Sequence, residues 1–155
     1  MGENPYFILV PAFLLLAVCL YTDLKERKIY DKYTISGMLY FIGIHAVLGT
    51  FYHSLLGWLI IGGIAYVLAV ISKGQIGGGD IKLYAMLGAA FGWEQGLVVL
   101  VLTSVAAALW ALPLLLLKAL KRLPAGYHEL PLAPFITAGV ILMLVISNLA
   151  SLNYR

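Results

Sequence analysis

Long apolar runs, parted by short breaks of polar, charged or glycine residues, fill this chain almost from end to end. In order they predict helices at about 5–22, 33–51, 54–72, 80–93, 96–118 and 131–150. The breaks fall at turn or charged residues, as helix boundaries should. The fourth run is short, and the last opens through Leu130-Pro131-Leu132-Ala133-Pro134. Gly57, Gly62 and Gly63 in the third run, with Gly88 and Gly92 in the fourth, allow helices to approach closely.

Composition turns six apolar helices into six membrane spans. Hydrophobic residues make up 63% of the chain and charged ones 11%, with a mean hydropathy of +0.98, far outside the range of soluble proteins. A spanning helix needs about 20 apolar residues, so six spans with short loops nearly exhaust 155 residues. The expected architecture is all-α and polytopic, one transmembrane domain over residues 1–155. Cys19 is the single cysteine, which excludes an internal disulfide and a Cys-x-x-Cys zinc site. Leu16-Ala17-Val18-Cys19 faintly resembles a lipoprotein cleavage box, but no Lys or Arg precedes Lys25 and valine stands where a small residue is wanted. Cys19 is read as a packed or lipid-facing helix residue.

Charge distribution sets the orientation. Lys25, Arg27, Lys28 and Lys32 follow the first helix, Lys73 and Lys82 flank a glycine run, and Lys118, Lys121 and Arg122 follow the fifth helix. Only Arg155 falls on the opposite side. Short cytoplasmic loops are enriched in Lys and Arg, so both termini are expected outside. Loops 23–32, 73–82 and 118–130 then lie in the cytoplasm. The net charge of +3 is this topology signal and does not indicate nucleic-acid binding.

Two acids stand out in this setting. Asp80 lies behind Gly77-Gly78-Gly79 at the mouth of the fourth helix, and Asp23 lies at the end of the first. The predicted topology brings both to the cytoplasmic boundary, where a carboxylate is costly enough to suggest a function. Two carboxyls a few ångströms apart share a proton and titrate as a unit. One can then draw a proton from a water that attacks a peptide carbonyl, while the other supports the oxyanion and protonates the leaving amine. Such hydrolysis requires no metal or cofactor. Glycines beside the acid would let an extended substrate backbone come close. Each acid also has an ordinary reading: Asp80 as a helix N-cap, and Asp23 as an interfacial anchor. A phosphate loop is excluded, because no Gly-Lys-Ser/Thr follows the glycines and no strand precedes them. A small cation or proton-coupled transporter using the same two acids is the alternative function.

The segments carrying these residues resemble the type IV prepilin peptidases, the GxGD class of membrane aspartic proteases. GGGDIKLYAMLGAAFGW is similar to their signature, with Gly77, Gly79 and Asp80 as the GxGD residues and Lys82 in the usual following position. TDLKERKIYDKYT resembles their first aspartate motif, and LPLAPFITAGV their proline-containing last helix, covering Pro131, Pro134 and Phe135. The resemblance implies an aspartic endopeptidase of the cytoplasmic membrane. It would remove the short basic leader of prepilins or pseudopilins, usually just after a glycine, while the substrate's apolar helix stays in the bilayer. Asp23 and Asp80 would be catalytic, with Gly77, Gly78, Gly79 and Lys82 as the active-site loop. Ile29-Tyr30-Asp31 departs from the Ile-Pro-Asn of many relatives, which alters loop geometry and leaves the acids untouched. Larger relatives carry an N-terminal domain with paired Cys-x-x-Cys motifs, associated with N-methylation. This sequence has none, so methyltransferase activity and S-adenosylmethionine are not carried over.

Basic leaders pose a difficulty, because nine cations and only five acids, Asp23, Glu26, Asp31, Asp80 and Glu129, lie on the expected cytoplasmic side. Glu26 and Asp31 are the candidates to receive leader cations locally. His128 and Glu129 are read as solvated, and Trp93 and Glu94 as an outer-surface turn. His45 and His53 are placed at the outer interface. Lys82 either orients substrate or snorkels from its helix start.

Overall fold

A backbone in lipid must satisfy its own polar groups, and runs of this length do so as helices. The computed structural model describes residues 6–72, 76–119 and 132–153. Pro131, His128, Glu129, Lys73, Lys121 and Arg122 lie outside the described residues. Every regular element among those described is helical: α1 (Tyr6–Glu26), α2 (Asp31–Val47), α3 (Phe51–Ile71), α4 (Gly78–Ala119) and α5 (Ala133–Asn153).

The expected fourth and fifth helices are the two arms of α4. They meet at Gly92, whose φ of 80° and ψ of 178° leave the helical region. On a straight helix Gly88 and Gly96 would stand about 12 Å apart. A Cβ on Gly96 would instead lie 3.5 Å from the Gly88 Cα, so the chain doubles back at Gly92. Only glycine takes that backbone angle without strain.

Among the described residues three stretches are long and apolar enough to cross a membrane, Tyr6–Glu26, Phe51–Ile71 and Gly78–Pro113, and Ala133–Leu149 is a shorter apolar helix. Large apolar side chains such as Leu39, Val47, Leu59, Ile71 and Leu109 point outward. Such a surface is a liability in water and suits a lipid surround. This is a membrane protein. The arm 78–91 is too short to cross alone, and Leu83 through Phe91 are wrapped by neighbouring helices instead.

Three helix ends differ from the expectation. α1 runs to Glu26, so Asp23 sits inside its last turn rather than beyond it. α2 stops at Val47 and α3 starts at Phe51, moving the turn between them several residues earlier. Gly49 is the reason: at φ 76° it supplies the left-handed residue of a helix C-terminus. Thr50 N–H then donates to the His45 carbonyl at 2.9 Å and Gly49 N–H to Ala46 at 3.3 Å, the paired bonds of a Schellman ending.

Small residues build the seam between α3 and α4. A Cβ on Gly57 would collide with the Gly88 carbonyl, one on Gly62 would lie 2.9 Å from the Ala85 Cβ, and Gly63 faces open space. Gly57, Gly62, Gly88 and Gly92 thus serve close helix contact, and Gly63 does not. Ser54 donates to the Ala89 carbonyl at 2.7 Å across the seam. His45, expected at the interface, is buried. Its Nε2 donates to the Ala90 carbonyl at 3.1 Å, and its Nδ1 faces the Thr50 hydroxyl at 2.8 Å. The end of α2, the start of α3 and the bend of α4 are therefore pinned together at one end of the bundle.

Candidate active site

At the other end lie the last turn of α1 and the first turns of α2, α4 and α5. In α1 the buried residues are Ala12, Leu16, Cys19 and Asp23, a spacing of four, three and four that marks one helix face. Asp23 continues the stripe that packs inward, and it is only 7% exposed. An interfacial anchor would point the other way. Asp80 stands one turn before Leu83, Tyr84 and Leu87, all buried, so its position shares their inward face.

Both acids line one cleft of about 550 Å³, together with the glycine run and the connection from α1 to α2. They are near enough for the charge of Asp23 to act on Asp80. The remaining wall includes Arg27, Lys28 and Lys32, with Asp31 the third acid. Among the described residues no three His, Cys, Asp or Glu side chains are grouped to hold a metal ion.

The first turns of α5 and α4 position the two carboxyls. The Ala133 N–H, first of α5, donates to Asp23 Oδ2 at 3.1 Å. Helix-opening N–H groups have no partner within their own helix, and here one is satisfied by an acid 110 residues away in sequence. Asp80 and Ile81 N–H donate to the Gly77 carbonyl at 3.1 and 3.3 Å, which makes Gly77 the cap of α4. Asp80 is the third helical residue rather than the cap, and its carboxyl turns back toward Gly77, Oδ2 lying 3.1 Å from where a Cβ on that glycine would stand. Carboxylates at that position commonly reach back in this way.

The glycines play unequal parts. Gly78 has open space where a Cβ would stand, whereas a Cβ on Gly79 would come within 2.8 Å of the Ile29 Cβ. Gly79 is thus overlaid on one side by the α1–α2 connection while still lining the cleft, and Gly78 has open space beside it. That connection spans Arg27 to Tyr30 and begins with Arg27 at φ 51°. It is further tied by the Tyr30 hydroxyl, which donates to Glu26.

The other residues singled out in the sequence divide. Lys82 does not line the cleft; its Nζ donates to Asp31 Oδ2 at 2.5 Å, with both side chains part-exposed. Glu26 is exposed beside the cleft. Pro134 and Phe135 are half-buried in the first turn of α5, and the Phe135 ring lies 6.5 Å from that of Trp110, directed to α4. The Ala133 contact, the Lys82–Asp31 pair and the Ile29 cover are not apparent from the sequence, although the Ala12–Leu16–Cys19–Asp23 stripe is.

The profile of the type IV leader peptidase family matches residues 9–112, more than half of the chain. A relative described as prepilin peptidase EppA, from Methanocaldococcus jannaschii, is 33% identical over 86 residues. That alignment covers 56% of this chain and 24% of the relative, so the chain matches about a quarter of the relative's length. No solved structure matches the chain.

Proposed function

The chain belongs to the type IV leader peptidase family, and from that premise we propose that it is a membrane-embedded aspartic endopeptidase cutting the basic leader from prepilins or pseudopilins. The observation carrying this reading is that Asp23 and Asp80, from helices remote in sequence, share one cleft that an uncovered glycine also lines. A water between the carboxyls loses a proton to one and attacks the scissile carbonyl. The other, protonated, donates a hydrogen bond to the oxyanion and passes its proton to the departing amine. The Ala133 N–H fixes the Asp23 carboxyl, and the Asp80 carboxyl lies folded over Gly77, so little reorganisation is needed at the moment of attack. Gly78 accepts the extended substrate backbone, and Glu26 and Asp31 face the leader's cations.

The same reading includes six spans, counting the arms of α4 separately, with both termini outside and the cleft at the cytoplasmic face of the inner membrane. The cation-rich breaks in the sequence support it, as does the gathering of the α1 end with the α2, α4 and α5 starts. Lipid and the prepilin's retained apolar helix are then the neighbours of the site.

Incubating the purified protein in detergent with a prepilin tests the proposal, with product masses read by mass spectrometry. A peptidase gives two fragments, cut at one bond, whose masses sum to that of the prepilin plus one water. A cation or proton-coupled transporter using the same acids leaves the prepilin intact, and that outcome would end the proposal.

The anchoring of Asp23 can be tested separately. Proline is tolerated at the first position of a helix, so Ala133→Pro removes the N–H and leaves α5 able to form. A hydrogen bond to a charged group contributes roughly 1.5–3 kcal/mol. Turnover is expected to fall at least about tenfold, with helix content by circular dichroism nearly unchanged.

A further inference from the structure

We propose that Lys82 occupies, within the resting protein, the place on Asp31 that a leader cation takes during cleavage, and that the arriving cation releases the cover over Gly79 by displacing it. This rests on the peptidase reading above and adds how the site reads leader charge.

Four observations carry the inference. Lys82 Nζ sits 2.5 Å from Asp31 Oδ2, joining the first residue of α2 to the first turns of α4. The two side chains are 41% and 57% exposed. Ion pairs this exposed contribute only about 0–1 kcal/mol, so a substrate ammonium can replace Lys82 at little net cost. Lys28 and Lys32 line the same cleft and disfavour a cation beside them, which leaves the acids as the places for one. Asp31 is the acid of that wall outside the catalytic pair, and it is already paired.

The fourth observation concerns what the pair holds down. The connection Arg27–Tyr30 is four residues long between two helices, and Ile29 rests against Gly79. The pair with Lys82 adds one tie between the start of α2 and α4, close to where Ile29 lies on the glycine. Exchange of partners removes that tie, and Ile29 can lift from the side of Gly79 that it overlies, so that Gly79, which already lines the cleft, opens further beside Gly78. A basic leader therefore widens the glycine stretch on which its own cleavage site is laid, and a neutral leader meets it partly covered. Lys82 is on this account a specificity-determining residue and takes no part in proton transfer.

The test compares two prepilins that differ only in the leader, one with its lysines and arginines and one with glutamines in their place. Wild-type protein should favour the basic leader by about fivefold in kcat/KM, the size an exposed pair supports. Lys82→Met should lower KM for the basic leader, Asp31→Asn should bring the ratio of the two substrates near one, and Lys82→Arg should behave as wild type. A purely structural pair would instead lower both substrates equally in every variant. A second readout avoids hydrolysis: the rate at which a maleimide labels Ile29→Cys in the Asp80→Asn background. The basic leader peptide should accelerate labelling, and the glutamine peptide should not. Labelling indifferent to leader charge, or an Asp31→Asn ratio equal to wild type, overturns the proposal. If wild type cuts no prepilin, the peptidase reading falls while the labelling result still decides this one.

Discussion

Asp80→Asn is expected to stop the release of shortened prepilin, and Asp23→Asn to do the same. Asparagine keeps the shape and a hydrogen-bond acceptor, so the Asp23→Asn side chain can still take the Ala133 N–H that Asp23 Oδ2 accepts at 3.1 Å. What each change removes is the ability to gain or hold a proton. General acid–base catalysis contributes about 10²–10⁴-fold, and single-turnover cleavage by each variant should fall by that order. Because one water needs both carboxyls, the double variant should be scarcely worse than either single one; groups acting as a unit are non-additive in this way. Thermal unfolding in detergent should change little, separating lost chemistry from lost fold. Cleavage that survives either substitution would leave the acid pair without a role.

The largest expected effect on stability comes from Gly57→Ala. The added methyl would fall on the Gly88 carbonyl and 2.7 Å from the Gly92 Cα. Neither is a flexible side chain that can swing aside, so α3 and the bend of α4 must separate. Overpacking a tight core costs about 1–3 kcal/mol, and backbone obstacles put this site at the upper end. The matched control is Gly63→Ala on the same helix, where a methyl meets open space. There alanine's better helix propensity, up to about 1 kcal/mol, should hold or raise Tm. Scanning calorimetry of the two variants in one detergent checks the pair. A Gly57→Ala melting point equal to wild type would refute the seam. Prepilin cleavage should fall in Gly57→Ala as well, because Asp80 is carried on the displaced arm.

Much of this is legible from residue order. Runs of apolar residues locate the helical rods, the two arms of α4 included, since length and hydropathy alone determine where a lipid-embedded backbone must be helical. The join at Gly92 is legible as a break but not as a reversal; its direction depends on a backbone angle that glycine permits without dictating. The two acids can be singled out because charge at the end of an apolar run is costly. Their inward direction is in principle readable too, from the stripe Ala12, Leu16, Cys19, Asp23. Contacts between distant segments are not. Asp31 and Lys82 carry opposite charges, as many pairs in the chain do, and nothing local joins those two. Ala133 shows no trace of its contact with Asp23, because a backbone N–H is common to every residue but proline. His45 reads as an interfacial residue until its two ring nitrogens find the Thr50 hydroxyl and the Ala90 carbonyl.

The bond from Ala133 to Asp23 joins parts of the chain that are synthesised far apart in time. α1 leaves the ribosome carrying an acid whose fixing partner is in α5, 110 positions later. Chains fold as they emerge, N-terminal parts first, so a nascent chain stalled before α5 holds both acids and lacks the support of one of them. If the proposed function holds, such a chain carries an acid pair lacking one hydrogen bond and is expected to be at least about tenfold slower than the finished protein.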